Sequence, residues 1–241
     1  MAIHYNQSIP RGLCFNFDAL NPKCFNTTNR TFTDIISGVT GTTVGDSTKL
    51  NLETNPLGDG KPHLKFNPGA TTRTAYINFN PANMKLPKGK NMTISFWSYF
   101  IDQGNIDHPN VGWETTGAWT GTNGWIFGTG YGTDGPRFGI NDNSYYISGG
   151  YVYNVWQHWV VTFDGYDTST GFKTYRNGVI YNTRGITNTS IVGNTNVLNI
   201  GATNSRGGNW GGYMDIVQIW DRDLTAAEVK SLYATQKGRF I

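Results

Sequence analysis

Short segments of alternating apolar and polar residues recur along this chain, separated by Gly, Pro and Asn. This pattern is typical of half-buried β-strands joined by tight turns. The longest segment, Met92–Phe100, carries aromatic residues on both faces, so we expect a central strand that is covered on both sides. The other segments that predict strands are 12–17, 63–66, 74–79, 125–127, 137–140, 145–147, 156–165 and 197–200. Together they predict an all-β, two-sheet antiparallel sandwich or jelly roll.

Two local signals are more specific than this alternation. Asn177 and Gly178 predict a two-residue hairpin, because they best tolerate the positive φ angles of a type I′ turn. Thr225 and Glu228 form a Thr-x-x-Glu capping box, which predicts a short helix over 225–233. A helix this short is stable only when it packs on other elements, so we expect it to lie across the sandwich.

The chain predicts one domain with a short extension at each end. Residues 1–11 are polar and lack periodicity, so we expect an N-terminal arm. The jelly-roll domain follows over 12–235, and a C-terminal tail over 236–241. Within the domain, residues 102–124 have few strand signals and predict a large loop. A length of 241 residues fits a single all-β domain with its own core.

Composition narrows the range of partners. Charged residues make up 15% of the chain, well below the roughly 25% of an average globular protein. The net charge is +3 and the Lys and Arg residues are scattered, which argues against nucleic acid or a membrane as partner. No apolar run approaches the roughly 18 residues of a membrane helix, and the N-terminus lacks signal-peptide features. We therefore expect a chain that is made in a cytoplasm and used or assembled there.

The two cysteines, Cys14 and Cys24, have no zinc-type spacing. A disulfide between them would close only a short loop. We favour two reduced thiols, with Cys14 packed in a strand, over the disulfide.

Several segments resemble the laminin-G-like jelly roll of the concanavalin A-like lectin/glucanase superfamily. They are the Trp-x-His strand at 156–165, the Tyr-x-Asn-Gly hairpin at 175–178, and the closing strand and helix start at 212–229. The segments 18–23, 32–41 and 234–240 are also similar to such domains in tailed-phage virion proteins. The resemblance covers about residues 12–240. It implies a concanavalin A-like sandwich with one short C-terminal helix, in a virion protein.

The chain lacks the residues of a glycoside hydrolase, which needs two carboxylates flanking the scissile bond. Glucanases of this superfamily carry a Glu-x-Asp-x-Glu strand. The three glutamates here, Glu53, Glu114 and Glu228, have no acidic residue two positions away. No nucleophile elbow and no phosphate-binding Gly motif is present either. We therefore expect that the chain is not an enzyme.

The resemblance also suggests a calcium site, because some family members bind calcium near the strand ends. Asp215 matches the aspartate of the family's final strand, but Ile216 follows at a position that is often acidic in the family. The oxygen-rich segment 102–107 does not match an EF-hand loop. We therefore favour a chain without a cofactor, in which Asp215 bonds to neighbouring backbone, over a calcium site.

Three tryptophans are the candidate ligand or interface contacts: Trp113, Trp119 and Trp210. They lie in segments rich in Gly, Thr and Asn, where exposed rings could stack on sugars. Alternatively, they anchor long loops or bury against a neighbouring subunit, since Trp is enriched at interfaces. No residue is predicted to be catalytic, cofactor-binding or metal-binding.

These expectations lead to a non-enzymatic structural protein of a phage particle, assembled in the host cytoplasm. It would be a capsid decoration protein or part of a fibre or tail appendage. Its partners would be capsid or tail proteins and further copies of itself, held by weak contacts repeated over the particle. The arm and the tail would reach those neighbours. The alternative is a carbohydrate-binding, lectin-like module for host-surface attachment, with a glycan as its partner.

Overall fold

The computed structural model describes residues 11–54, 60–66, 75–87, 91–101, 108–113, 124–129, 136–140, 143–146, 152–165, 170–185, 196–202 and 211–241. Structural statements below concern these residues. Apart from Arg11, the predicted N-terminal arm lies outside them.

The described residues form 17 β-strands and one α-helix. The strands are β1 (Leu13–Phe17), β2 (Phe25–Asn26), β3 (Thr31–Thr33), β4 (Thr40–Val44), β5 (Leu50–Thr54), β6 (Pro62–Phe66), β7 (Tyr76–Phe79), β8 (Met92–Phe100), β9 (His108–Trp113), β10 (Trp125–Thr129), β11 (Pro136–Ile140), β12 (Asn143–Tyr146), β13 (Trp156–Phe163), β14 (Phe172–Arg176), β15 (Val179–Arg184), β16 (Leu198–Ile200) and β17 (Gly212–Trp220). The helix α1 spans Ala226–Gln236, and short 3₁₀ helices span Ser47–Lys49, Pro81–Asn83 and Lys237–Arg239.

The strands form two antiparallel sheets that pack face to face. Sheet A has the order β15-β14-β13-β8-β17-β6-β5, and β1 pairs with the second half of β17. Sheet B has the order β12-β11-β10-β9-β16-β7-β4-β3-β2. The predicted fold class, an all-β jelly-roll sandwich with one C-terminal helix, is confirmed.

The core lies between the sheets, and alternate residues of each strand build it. In β8, Ile94, Phe96 and Phe100 face this core, whereas Trp97 and Tyr99 face the outside of sheet A. All nine residues of β8 are buried, and the strand lies between β13 and β17. The expectation of a central strand covered on both sides is confirmed.

The hairpin and the helix also form as predicted. Asn177 and Gly178 have φ angles of 52° and 78° between β14 and β15. The Thr225–Glu228 capping box is complete, and α1 continues to Gln236, beyond the predicted end. Val229 of α1 packs on the outer face of sheet A.

The prediction of a large loop over 102–124 is wrong for part of that range. β9 lies within it and pairs with both β10 and β16. Pro109 and Gly112 interrupt the apolar alternation, so the sequence pattern is weak there. Pairing with a strand on each side stabilises β9 in spite of its low β propensity.

The end of the chain does not extend toward a neighbour as expected for a tail. Phe240 is fully buried and stacks on Trp97, with ring centroids 4.1 Å apart. Arg239 forms ion pairs with Asp18 and Asp215. The local sequence is polar and predicts exposure, but the apolar outer face of sheet A gives Phe240 a place to bury.

Candidate functional site

The two outer faces of the sandwich differ in chemistry. On sheet A, α1 covers Tyr175 and Trp220, and Phe240 covers Trp97 and Trp156. On sheet B, a row of short polar residues points away from the core. A ligand therefore meets polar groups on sheet B and helix or C-terminal residues on sheet A.

The polar row crosses five neighbouring strands of sheet B. Asn26 of β2 pairs with Thr31 of β3. Thr42 of β4 pairs with Asn78 of β7, which pairs in turn with Asn199 of β16. The register of β3 with β4 places Thr31 opposite Thr42. Directly opposite residues of antiparallel strands lie on the same face of the sheet, so these side chains form one continuous row. We call these five residues the polar ladder.

The polar ladder runs from solvent into the protein. Asn26 and Thr42 are exposed, Asn78 is half-buried, and Asn199 is fully buried. Tyr76 lies two residues before Asn78 on the same face of β7 and is half-buried. The row therefore brings amides, hydroxyls and one aromatic ring together.

Three polar atoms at the inner end of the polar ladder have no hydrogen-bond partner within the described part of the chain. They are Oδ1 of Asn78 and both Oδ1 and Nδ2 of Asn199. Gly112, on the far side of Asn199, has no side chain that could bond to them. A buried polar group without a partner costs about 1–3 kcal/mol and is rare in native proteins. Asn199 has no exposed surface, so its amide is placed to bond to ordered water, and the half-buried Asn78 is the innermost residue of the polar ladder that a ligand can reach.

A groove of about 380 Å³ lies where β5, the edge strand of sheet A, approaches the β2–β3 hairpin of sheet B. We call it the edge groove, and it is lined by Phe25, Thr27, Arg30, Asn51, Leu52 and Glu53.

The edge groove holds charges of both signs. Arg30 has a φ angle of 56°, and its guanidinium donates to the backbone carbonyls of Ser47 and Leu50. Its Nε–H finds no acceptor among the described residues. Glu53 accepts a hydrogen bond from Lys65, with 2.7 Å between Oε2 and Nζ. The groove therefore offers both donors and acceptors beside an apolar floor.

The structure assigns Trp113 to the core and not to a ligand-contacting surface, which corrects the sequence interpretation. Its side chain is 1% exposed and packs edge-on against Trp125. Its indole N–H donates to the carbonyl of Asn196 at 2.9 Å. The register of β9 turns the ring inward, and that strand was not predicted. Trp119 and Trp210 lie outside the described residues.

Asp215 serves the fold, as favoured from the sequence. Its Oδ1 accepts hydrogen bonds from the backbone N–H groups of Ala19 and Ile216. Its Oδ2 lies 3.0 Å from Nδ1 of His63 and accepts a hydrogen bond from Arg239. Within the described ranges, no three His, Cys, Asp or Glu side chains are grouped to hold a metal ion. The oxygen-rich segment 102–107 lies outside those ranges.

Arg239 joins Asp18 to Asp215 in what we call the terminal clasp. Two guanidinium nitrogens of Arg239 bond to the Asp18 carboxylate at 2.7 and 3.0 Å. Burial and the neighbouring Asp215 charge raise the pKa of Asp18. Burial alone would raise the pKa of Asp215 too, but Arg239 and His63 outweigh it and lower that pKa. Both carboxylates are buried and bonded, so they do not form the accessible acid pair of a glycosidase.

Ser95 and His158 have the spacing of a nucleophile and its base, with 2.8 Å between Oγ and Nε2. Both side chains are fully buried, and burial lowers the pKa of His158 to about 3. Trp97 and Tyr233 stack against the imidazole. This pair is therefore a packing contact without access for a substrate.

The two cysteines are free thiols, as favoured from the sequence. Both are buried, and Cys14 lies in β1, where its Sγ–H donates to the carbonyl of Ile219. Burial raises the pKa of both thiols, that of Cys24 to about 12. They are therefore inert in the folded protein.

Sequence reasoning missed both the polar ladder and the edge groove. The residues of the polar ladder come from five strands spread over residues 26–199, so only the strand register brings them together. The one local signal was the alternation of polar and apolar residues within each strand. It indicates which side chains face outward, but it does not show which strands lie next to one another.

Comparison with known families identifies the fold family. Residues 70–230 match a laminin G family model described as the Concanavalin A-like lectin/glucanases superfamily. The match covers more than half of the chain, so the chain belongs to this superfamily. The resemblance of segments 156–165, 175–178 and 212–229 to this superfamily is confirmed. No curated protein matches the sequence.

Solved structures with the same fold include binding domains. The binding domain of botulinum neurotoxin serotype G aligns with a TM-score of 0.66 at 16% identity, over 92% of this chain and 51% of that chain. The serotype D ligand binding domain, in complex with N-acetylneuraminic acid, aligns at 0.63 and 13% identity over 95% and 52%. Domain 4 of AbnA, an extracellular arabinanase from Geobacillus stearothermophilus, in complex with arabinotriose, aligns at 0.57 and 15% over 92% and 98%. This chain spans about half the length of the botulinum domains, and these identities show the fold alone.

Proposed function

We propose that this chain is a carbohydrate-binding, lectin-like module and that its ligand site is the polar ladder. The observation that carries the proposal is the row of outward-facing polar side chains on sheet B, from the exposed Asn26 and Thr42 to the half-buried Asn78. A primary amide offers a carbonyl acceptor and N–H donors side by side. Adjacent sugar hydroxyls both donate and accept, so a saccharide can bond to the amides and hydroxyls of this row. Tyr76 supplies an aromatic ring beside them.

The similar solved structures support this proposal over a purely structural role. The arabinanase domain is similar over almost its whole length and was solved in complex with arabinotriose. The serotype D domain was solved in complex with N-acetylneuraminic acid. A module that binds glycans through one sheet face would suit attachment to a host surface.

We further propose that the chain binds its glycan without hydrolysing it. Glu53 is paired with Lys65, and Glu228 is held by Arg222 and the capping box. Asp18 and Asp215 are enclosed in the terminal clasp. None of these carboxylates belongs to the polar ladder, where an acid or base would need to lie.

The first experiment is a glycan array probed with the wild-type chain, followed by isothermal titration calorimetry with the strongest glycan. We expect Asn78→Ala to weaken binding by about tenfold or more, the effect of losing one or two hydrogen bonds to the ligand. Asn182→Ala is the matched control, because Asn182 is a half-buried strand asparagine in sheet A. Equal affinity in all three proteins would contradict the assignment of the site.

A virion structural role is the second candidate function, and the terminal clasp favours it. Segments 18–23 and 234–240 both resemble tailed-phage virion proteins. They lie at opposite ends of the chain, and Arg239 joins them by pairing with Asp18. The two segments that resemble virion proteins are therefore in direct contact in the folded chain.

The two functions are compatible, since a virion appendage can carry a lectin-like module. The gene neighbourhood tests the virion role most directly. A position beside capsid, portal or tail genes, together with co-sedimentation of the chain with capsid or tail particles, would support it. A neighbourhood without phage genes would contradict it and leave carbohydrate binding unaffected.

A further inference from the structure

We infer that the polar ladder selects glycans made of neutral sugars and discriminates against glycans that carry carboxylate or sulfate groups. This inference rests on the proposed function and deepens it by naming the chemical class of the ligand. The part of the ladder that a ligand can reach runs from the exposed Asn26 to the half-buried Asn78.

The outward-facing side chains of β2, β3, β4 and β7 are all uncharged in the described part of these strands. Besides the polar ladder, this face carries Thr33 opposite Thr40, and Val44 opposite Tyr76. Both pairs lie on the same face as the ladder, because side chains two residues apart in a strand point to the same side. A ligand on this face therefore meets hydroxyls, amides and one phenol ring, and these strands present it with no cation or carboxylate.

The charged residues that flank β3 and β4 are held by other parts of the fold. Arg30 precedes β3, and its guanidinium donates to two backbone carbonyls. Asp34 follows β3, and its buried carboxylate accepts hydrogen bonds from backbone N–H groups. Asp46 follows β4 and caps the next 3₁₀ helix. All three are engaged within the fold, so they are not free counter-ions for a charged sugar.

The groups that the ladder does offer match sugar hydroxyls. Thr42 is exposed, and no hydrogen bond among the described residues uses its hydroxyl, which can donate and accept. The Oδ1 of Asn26 already accepts hydrogen bonds from the backbone of Thr28 and Asn29, so its amide N–H groups are left to donate. The Thr31 hydroxyl donates to Asn29 and is left as an acceptor. Donors and acceptors are thus both present in the row, as they are on a neutral sugar.

A carboxylate or sulfate on this face would lose hydration without gaining a cation. Removing an unpaired charge from water is costly, and the contact at the half-buried Asn78 is partly desolvated. The net charge of +3 on the chain acts in the opposite direction. Scattered charges more than about 8 Å away are largely screened at physiological salt, however. The local penalty therefore outweighs the long-range attraction, and the neutral glycan is favoured.

The test compares glycans that differ in charge but not in linkage. Linear glucose oligosaccharides are titrated beside glucuronic acid oligosaccharides, and galactose-ended glycans beside the same glycans capped with sialic acid. Each titration is run at about 0.05 M and about 0.5 M salt, because salt weakens only the charged contacts. Thr42→Lys adds one positive charge in the middle of the ladder. Thr183→Lys is the matched control, because Thr183 is an exposed strand threonine in sheet A.

We expect the wild-type chain to bind the neutral member of a pair about tenfold more tightly, with an affinity that does not change with salt. Thr42→Lys should raise the ratio of acidic to neutral affinity about two- to fivefold at low salt and lose this gain at high salt. Thr183→Lys should keep the wild-type ratio. Wild-type binding of the acidic member at equal or higher affinity, or a ratio that responds to Thr42→Lys no more than to Thr183→Lys, overturns the inference.

The failure of the inference and that of the proposed function are distinguishable. Preferred binding of acidic glycans that Asn78→Ala weakens leaves the polar ladder as the site and removes only the neutral class of ligand. A wild-type chain that binds no glycan of either class contradicts the proposed function, and the inference fails with it.

Discussion

Replacing Asn199 with Leu should make the protein more stable and leave glycan binding at the exposed part of the polar ladder in place. Asn199 is fully buried, and neither polar atom of its amide has a partner among the described residues. Leu has a similar size and branching, so Asn199→Leu removes the unpaired groups without creating a large cavity. The glycan meets the exposed and half-buried residues of the polar ladder, so its affinity should not depend on Asn199.

The size of the effect follows from the penalty for an unpartnered buried polar group. That penalty is about 1–3 kcal/mol, and an apolar replacement of the same shape removes it. For a domain of this size, 1 kcal/mol shifts Tm by about 2–4 °C. We therefore expect Asn199→Leu to raise Tm by roughly 2–12 °C.

Thermal unfolding followed by circular dichroism or calorimetry measures this shift. Asn177→Leu is the control, because the Asn177 side chain accepts a hydrogen bond from the His158 N–H at 2.9 Å and its φ is 52°. That substitution loses the bond and strains the backbone, so it should destabilise the protein by about 2 kcal/mol or more. A lower Tm for Asn199→Leu than for the wild type would refute the reasoning.

Three further predictions concern the parts of the fold that do not bind ligand. Arg239→Met should lower the free energy of unfolding by about 3–5 kcal/mol, because it leaves the two carboxylates of the terminal clasp without their cation. Urea unfolding measures this loss, and a loss below about 1 kcal/mol would show that the clasp contributes little to stability. His158 has a folded-state pKa of about 3, below the ordinary value of 6.5. Between these values the unfolded chain binds the proton and the folded chain does not. Stability should therefore fall by up to about 1.4 kcal/mol per pH unit as the pH drops through this window, and His158→Gln should flatten the slope. Cys14 and Cys24 should both react with a thiol reagent only in denaturant, and rapid reaction of the native protein would contradict their burial.

The sequence predicted the parts of the fold that local interactions determine. The hairpin at Asn177 follows from the backbone preference of two adjacent residues, and the start of α1 follows from Thr225 and Glu228. The strand β8 was evident because nine consecutive residues carry a clear pattern. Each of these signals lies within a few residues of the element that it predicts.

Features that depend on distant contacts could not be predicted in this way. β9 forms because β10 and β16 pair with it, although Pro109 and Gly112 weaken its own signal. Phe240 is buried because the outer face of sheet A carries Trp97 and Trp156. Trp113 was expected to contact a ligand or a partner, and the register of β9 turns it inward.

The candidate site depends even more on distant contacts than the fold does. Asn78 and Asn199 are more than a hundred residues apart in the chain and face each other only through the pairing of β7 with β16. Neither asparagine belongs to a motif. Their lack of partners among the described residues depends on the folded positions of the surrounding donors and acceptors, which no local pattern gives.

The most direct test of carbohydrate binding at the polar ladder is an NMR titration with the best-bound glycan. The side-chain amide resonances of Asn26 and Asn78 are followed, with that of Asn91 as reference, because the Asn91 amide already donates to Asp223 at 3.0 Å. We expect the Asn26 and Asn78 resonances to shift with saturation at the measured Kd, while that of Asn91 stays unchanged. Saturable binding that leaves the Asn26 and Asn78 amides unchanged would contradict the account.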